Sequence, residues 1–158
     1  MNAEIALIRP VEACELADAF GLIWRVFQEF VAPDYSQEGI DSFYSLYVAG
    51  TAFRENFADG RETMLGAFIN QRLAGVLSIS QTNVISCVFV EGNYHRMGIG
   101  KKLFTAALAE LQARGAPEVR LNASPCAVPF YHALGFKDTG GQASYHGIVY
   151  TPMRMLLR

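Results

Sequence analysis

The sequence predicts a mixed α/β fold: one twisted sheet, partly antiparallel and partly parallel, with helices on both faces. Three observations predict it. Residues 63–69, 73–80 and 84–90 are apolar runs separated by breaks of only three residues, the pattern of an antiparallel meander. Residues 84–123 read as strand, helix and strand, and a crossover of that kind leaves its two strands parallel. Two helical stretches precede the meander and a short one follows the crossover, enough to cover both faces of a sheet.

Each element has its own signal. Residues 4–9 form a short run with apolar positions, closed by Pro10, and predict a first strand. Across residues 12–30, Leu16, Phe20, Ile23, Phe27 and Phe30 recur every three or four positions, which is an amphipathic helix that Pro33 ends. Ser36 then caps a second helix running to about Tyr47, with Gln37 and Glu38 in the first turn, where acidic groups are favoured. In the meander, Asn70, Gln71 and Arg72 make one tight turn and Gln81, Thr82 and Asn83 the other. A long helix starts near Gly98, buries Leu103, Phe104, Ala107, Leu108 and Leu111, and stops at Gly115 and Pro117. Residues 118–123 are a strand, 127–134 a short helix stopped by Gly135, and 148–157 the last strand, preceded by a strand or loop. The order is β-α-α-β-β-β-α-β-α-β-β.

At 158 residues the chain suits one domain over 1–158, and with 51% apolar residues it can fill a single core. A net charge of −2 gives no general affinity for nucleic acid or membrane. No apolar run approaches the roughly 20 residues that span a bilayer, and Met1, Asn2, Ala3, Glu4 and Ile5 lack the pattern of a secretion signal, so the expected location is cytoplasmic. Cys14, Cys87 and Cys126 are odd in number and far apart, which argues against a disulfide framework and for a reducing compartment. His95, His132 and His146 show no metal-ligand spacing, so no metal is expected.

The chemistry-bearing motif is Gly98-Ile99-Gly100, set between a buried strand and a helix start. Glycines there free the backbone and let a bulky anion approach the unpaired N–H groups of the first helical turn. His95, Arg96, Lys101 and Lys102 make the surroundings locally basic in a slightly acidic chain. A glycine turn with solvated charges would show the same features. A Walker A loop fails, because His95 stands where its first Gly belongs and Lys102 where it needs Ser or Thr. A Rossmann fingerprint fails, because Leu103 stands where Gly or Ala is required.

The run from Cys87 through Leu103 resembles motif A of the GCN5-related N-acetyltransferases (GNAT), a strand and loop followed by [Gln/Arg]-x-x-Gly-x-[Gly/Ala] at a helix start. The run from Ala127 through Tyr131 to Gly135 and Phe136 resembles motif B of the same family. His95 departs from the usual Gln or Arg, and Ser124 stands where an Asn often touches the cofactor. The resemblance covers residues 63–136 well and the N-terminal helices poorly. It implies a central seven-stranded mixed sheet, a strand that splays from its parallel neighbour at a bulge, and acetyl-CoA as cosubstrate.

Carried over, Val88, Phe89 and Val90 offer backbone contacts to the pantetheine arm, and the pyrophosphate meets His95, Arg96, Met97, Gly98, Ile99, Gly100 and Lys101, with Ser124 and Tyr131 alongside. Tyr131 matches the family's general acid, which would protonate the departing thiolate. A Tyr packed on a short helix is the competing reading. Glu29 is a candidate base, and Phe30, Asp34, Tyr35 and Ser86 are candidates for the acceptor side, although Glu29 and Asp34 read equally as solvated charges. Cys87 as an acetyl-carrying nucleophile ranks below direct transfer. The acceptor is a small-molecule amine or a peptide. An acyl-CoA sensor without turnover is the alternative, and an edge strand such as residues 148–157 could support a homodimer.

Overall fold

The structure, a computed structural model, describes residues 5–158. Glu4, where the predicted first strand begins, and the first four positions of the N-terminal segment read for a secretion signal lie outside the described residues.

The chain opens with β1 (Leu7–Pro10) and α1 (Leu16–Val26), which widens into one π turn over Phe27–Val31. Next come α2 (Gln37–Phe43), widened in the same way over Tyr44–Val48, and α3 (Thr51–Ala58). The meander is β2 (Glu62–Ile69), β3 (Arg72–Ser80) and β4 (Val84–Val90). After it follow α4 (Ile99–Ala113), β5 (Glu118–Ala123), α5 (Val128–Leu134), the short β6 (Lys137–Asp138) and β7 (Ala143–Tyr145), and β8 (Ile148–Leu156). The strands join in one eight-stranded sheet ordered β1-β2-β3-β4-β5-β8-β6, with β7 also on β8. Among the described residues only β4 and β5 pair in parallel.

The mixed sheet, the meander and the parallel crossover agree with expectation. The eighth strand arises because the segment before β8 touches it twice, through two residues of β6 and three of β7, rather than as one strand. Helix α3 had no counterpart in the sequence reading. It is one face deep: Phe53 is buried and packs edge-on against Phe20 and Tyr47, while most of the helix faces solvent. Ser36 does cap α2, its Oγ accepting from Gly39 N at 3.2 Å. Asn70, Gln71 and Asn83 adopt positive φ in the two tight turns, as short connections require.

Each face of the sheet carries its own core. On one, α4 and α5 bury Leu103, Phe104, Leu111 and Phe136 against Leu77, Ile79, Ile85 and Leu121. On the other, α1 and the helices after it bury Phe20, Leu22, Ile23, Phe27 and Phe43 against Met64, Val76 and Cys87. Each such side chain, fully buried, stabilises the fold by about 1.5–3 kcal/mol. The two cores hold β4 from both sides and so fix the strand at the centre of the site.

Candidate active site

The site starts from a bulge. β3 pairs Ile79 with Ile85 and then Ser78 with Cys87, so Ser86 is an extra residue on β4. At the same point β4 loses its other neighbour: its pairing with β5 stops at Ile85 and Leu121. Beyond it β4 stays on β3 as far as Val90, and β5 stays on β8 as far as Ala123. The two parallel strands therefore splay, leaving the Ser86-to-Val90 edge of β4 without a strand partner. A cleft of about 1080 Å³ opens between them.

The glycine turn closes one end. Arg96 has φ 64° and Gly98 φ 77°, and Gly98 is the left-handed residue immediately before α4. A Cβ at Gly98 would meet nothing within 4 Å, so its backbone faces open space. A Cβ at Gly100 would stand 3.2 Å from the Phe130 ring, which places α5 across the first turn of α4. The free N–H groups of that turn, the helix dipole, Arg96 and Lys101 give this end the chemistry that suits an anion. It fits a pyrophosphate, and the unpaired β4 edge fits an extended amide-bearing arm.

Of the residues expected on the cofactor side, Val88, Phe89, Val90, His95, Arg96, Gly98, Ile99, Gly100, Lys101, Ser124 and Tyr131 all line this cleft. Met97 does not; its side chain points to solvent from the loop, 49% exposed. His95 is committed within the protein: its Nε2 lies 2.7 Å from the Val90 carbonyl and its ring 4.4 Å from the Phe30 ring. It ties the loop to the end of β4.

On the acceptor side, Phe30, Tyr35 and Ser86 line the cleft, and Glu29 and Asp34 do not. The helical period explains Glu29: Val26, Phe27, Phe30 and Val31 face inward, and position 29 falls on the exposed side. Asp34 sits on the exposed turn after it. Both widened helical turns border this end, supplying Phe27, Phe30 and Val31 from one and Leu46 and Tyr47 from the other. Tyr145, Ile148 and Tyr150 close it from β7 and β8. Tyr35 is anchored by donating to the Val149 carbonyl at 2.8 Å, and burial pushes its phenol up to about 12.

Tyr131 is 8% exposed, with its ring packed edge-on to Phe104, Phe130 and Phe136. Among the described residues its hydroxyl has no hydrogen-bond partner. Burial, then the nearby Cys87 and Cys126 thiols, raise its pKa strongly, so the phenol keeps its proton. Cys87 is fully buried and burial pushes its thiol up to about 12, the opposite of an activated nucleophile.

Sequence reasoning missed a buried carboxylate. Glu62, the first residue of β2, is 5% exposed, and its Oε1 accepts from Ser86 Oγ at 3.0 Å. Among the described residues its Oε2 has no hydrogen-bond partner. Glu62 follows a turn and an arginine in the sequence and reads as a surface charge; only the bulge at Ser86, two strands away, gives it a partner. Asn122 and Tyr47 also line the cleft without having been expected there.

Comparison with known proteins follows the same lines. The family model described as an acetyltransferase (GNAT) domain matches residues 31–157. No curated protein matches. Among solved structures, a GCN5-related N-acetyltransferase from Rhodopseudomonas palustris superposes with a TM-score of 0.85 at 22% identity, covering 99% of each chain. The paiA N-acetyltransferase from Thermoplasma acidophilum, solved in complex with coenzyme A, has a TM-score of 0.80 at 21% identity over 96% of this chain and 98% of that one. The yncA protein of Salmonella typhimurium, solved with its cofactor acetyl-CoA, has a TM-score of 0.69 at 18% identity over 97% of this chain and 94% of that one. The order and pairing of the strands, the splayed strands with their glycine turn, and the match over four-fifths of the sequence lead to one conclusion: the chain belongs to the GNAT family of acetyltransferases.

Proposed function

We propose that this protein transfers an acetyl group from acetyl-CoA to a primary amine by direct attack within a ternary complex. The observation that carries the reading is the splay of β4 from β5 beside the N-terminus of α4. It supplies an unpaired strand edge for the pantetheine arm and a basic helix start for the pyrophosphate, with Arg96, Gly98, Ile99, Gly100 and Lys101 around the phosphates and Ser124 near the arm. That coenzyme A or acetyl-CoA accompanies similar folds in solved structures supports it.

Tyr131 then serves as the acid. Its raised pKa keeps the proton available at every working pH. A phenol that basic gives up its proton only to a comparably basic thiolate. The departing thiolate is the group formed beside it to take that proton. The buried, unactivated Cys87 favours direct transfer over an acetyl-cysteine route. The aromatic walls of the acceptor end favour an amine in its neutral, attacking form, because burial without a partner disfavours the ammonium. A small-molecule amine and a peptide amine both have that chemistry.

Thiol release from acetyl-CoA, measured against a panel of small amines and peptides, tests the proposal. Release that depends on an amine is expected. Stabilisation by coenzyme A with no release from any amine would instead mark a sensor.

A further inference from the structure

The acetyl-transfer reading leaves open which group removes the acceptor's proton, and the inference drawn here rests on that reading. We propose that the acceptor amine is deprotonated by Ser86, with Glu62 behind it as the positioning carboxylate that receives the relayed proton. Glu62 is not in the cleft wall, but Ser86 is, and the Ser86 hydroxyl already donates to Glu62 Oε1 at 3.0 Å. Ser86 is the extra residue of the bulge, where the strand alternation breaks, and it lines the cleft with Phe30 and Tyr35 of the expected acceptor side.

The surroundings of Glu62 make no structural sense of it. A carboxylate 5% exposed with a wholly unpartnered oxygen is costly to a fold. Burial raises its pKa above the usual carboxylate range, opposed by the Ser86 and Ser78 hydroxyls, although Ser78 Oγ completes no hydrogen bond of its own. A raised pKa makes a stronger base. The other titratable groups that interact with Glu62 are the Cys87 thiol and the Tyr47 phenol, both pushed up to about 12 chiefly by burial. They stay neutral near neutral pH, so within this set Glu62 is the group whose charge changes at a lower pH than theirs.

The step balances. The amine nitrogen bonds to the acetyl carbon and the carbon–sulfur bond breaks. The nitrogen's surplus proton passes to Ser86 Oγ while the Ser86 proton passes to Glu62 Oε1. The departing sulfur takes the Tyr131 proton. Glu62 ends one proton richer and Tyr131 one poorer, and exchange with solvent restores both.

The sign of the linkage separates this role from a structural one. A carboxyl whose folded pKa lies above its unfolded value binds its proton more tightly when folded. Stability is therefore lost as pH rises from the unfolded value through the folded one. Glu62→Gln removes that ionisation, so its melting temperature at neutral pH should equal or exceed that of the wild type. A structural glutamate would show the opposite.

The experiment compares wild type, Glu62→Gln and Ser86→Ala by amine-dependent thiol release across pH, with the coenzyme A-induced rise in melting temperature as the control for folding and cofactor binding. The expected result is a fall of about 10²-fold in kcat for both variants with the coenzyme A response kept. The acid limb of the wild-type kcat profile, which reports groups of the substrate complex, should disappear in Glu62→Gln, and Ser86→Thr, which keeps the hydroxyl, should recover part of the rate. An active wild type whose Glu62→Gln variant stays within twofold with its acid limb intact would overturn the relay alone. A wild type silent with every amine would overturn the acetyl-transfer reading, and the relay with it.

Discussion

Tyr131 and Glu62 stand on opposite sides of the same requirement, one group that keeps its proton and one that can take a proton. Both are buried, and burial raises both pKa values, since it penalises phenolate and carboxylate alike. For Tyr131 this predicts that kcat shows no fall from loss of its proton below a pH of about 10. It also predicts that Tyr131→Phe lowers the turnover number by at least about 10²-fold with little change in coenzyme A affinity, which steady-state kinetics and calorimetric titration would measure. A loss of twofold or less would remove Tyr131 as the acid. The two residues differ in how readable they are. Tyr131 carries a signal in the chain, because Ala127, Gly135 and Phe136 frame it in a motif. Glu62 has none. Its proposed role rests on a contact with Ser86 at a bulge, and a bulge is a property of strand pairing that a run of residues such as Val84 to Val90 does not display.

At the scale of elements, the splayed pair β4 and β5 and the start of α4 form the proposed donor end, and the helices before the meander the proposed acceptor end. The donor end was legible because glycines and a strand–helix junction follow local rules. The acceptor end was less so. Its periodicity gave α1 and α2 and put Phe27 and Phe30 on the inward face, which leaves Glu29 in solvent; the π turns at Phe27–Val31 and Tyr44–Val48 carry no such signal. A further contact is invisible in sequence. Gly39, in the first turn of α2, packs so tightly on the β7–β8 turn that a Cβ there would stand 2.2 Å from the Gly147 carbonyl oxygen. Ser42 adds a bond to the His146 carbonyl at 2.7 Å, and Tyr35 its bond to Val149. Gly39→Ala must therefore move backbone. It should cost about 1–3 kcal/mol of stability, read as a lower denaturant midpoint, and raise KM for the amine more than for acetyl-CoA, because the displaced elements carry Tyr35, Tyr145 and Ile148.

At the scale of the molecule, two apolar cores, one on each face of the sheet, hold β4 between them. The fold class was readable because alternating strand and helix signals with short connections admit few topologies. What stayed hidden was made by distant contacts: α3, whose single buried Phe53 gives too weak a period to register, and the double seam of β6 and β7 on β8. The central claim, that the gap between β4 and β5 takes coenzyme A, concerns the whole molecule, since a ligand bridging both halves stabilises the native state against the unfolded chain. The most direct measurement is the melting temperature of the protein across a coenzyme A titration. The account predicts a rise that continues with the logarithm of ligand concentration above the dissociation constant, reaching about 2.7 kcal/mol of added stability at a hundredfold excess over it. A melting temperature unmoved at any coenzyme A concentration would contradict it.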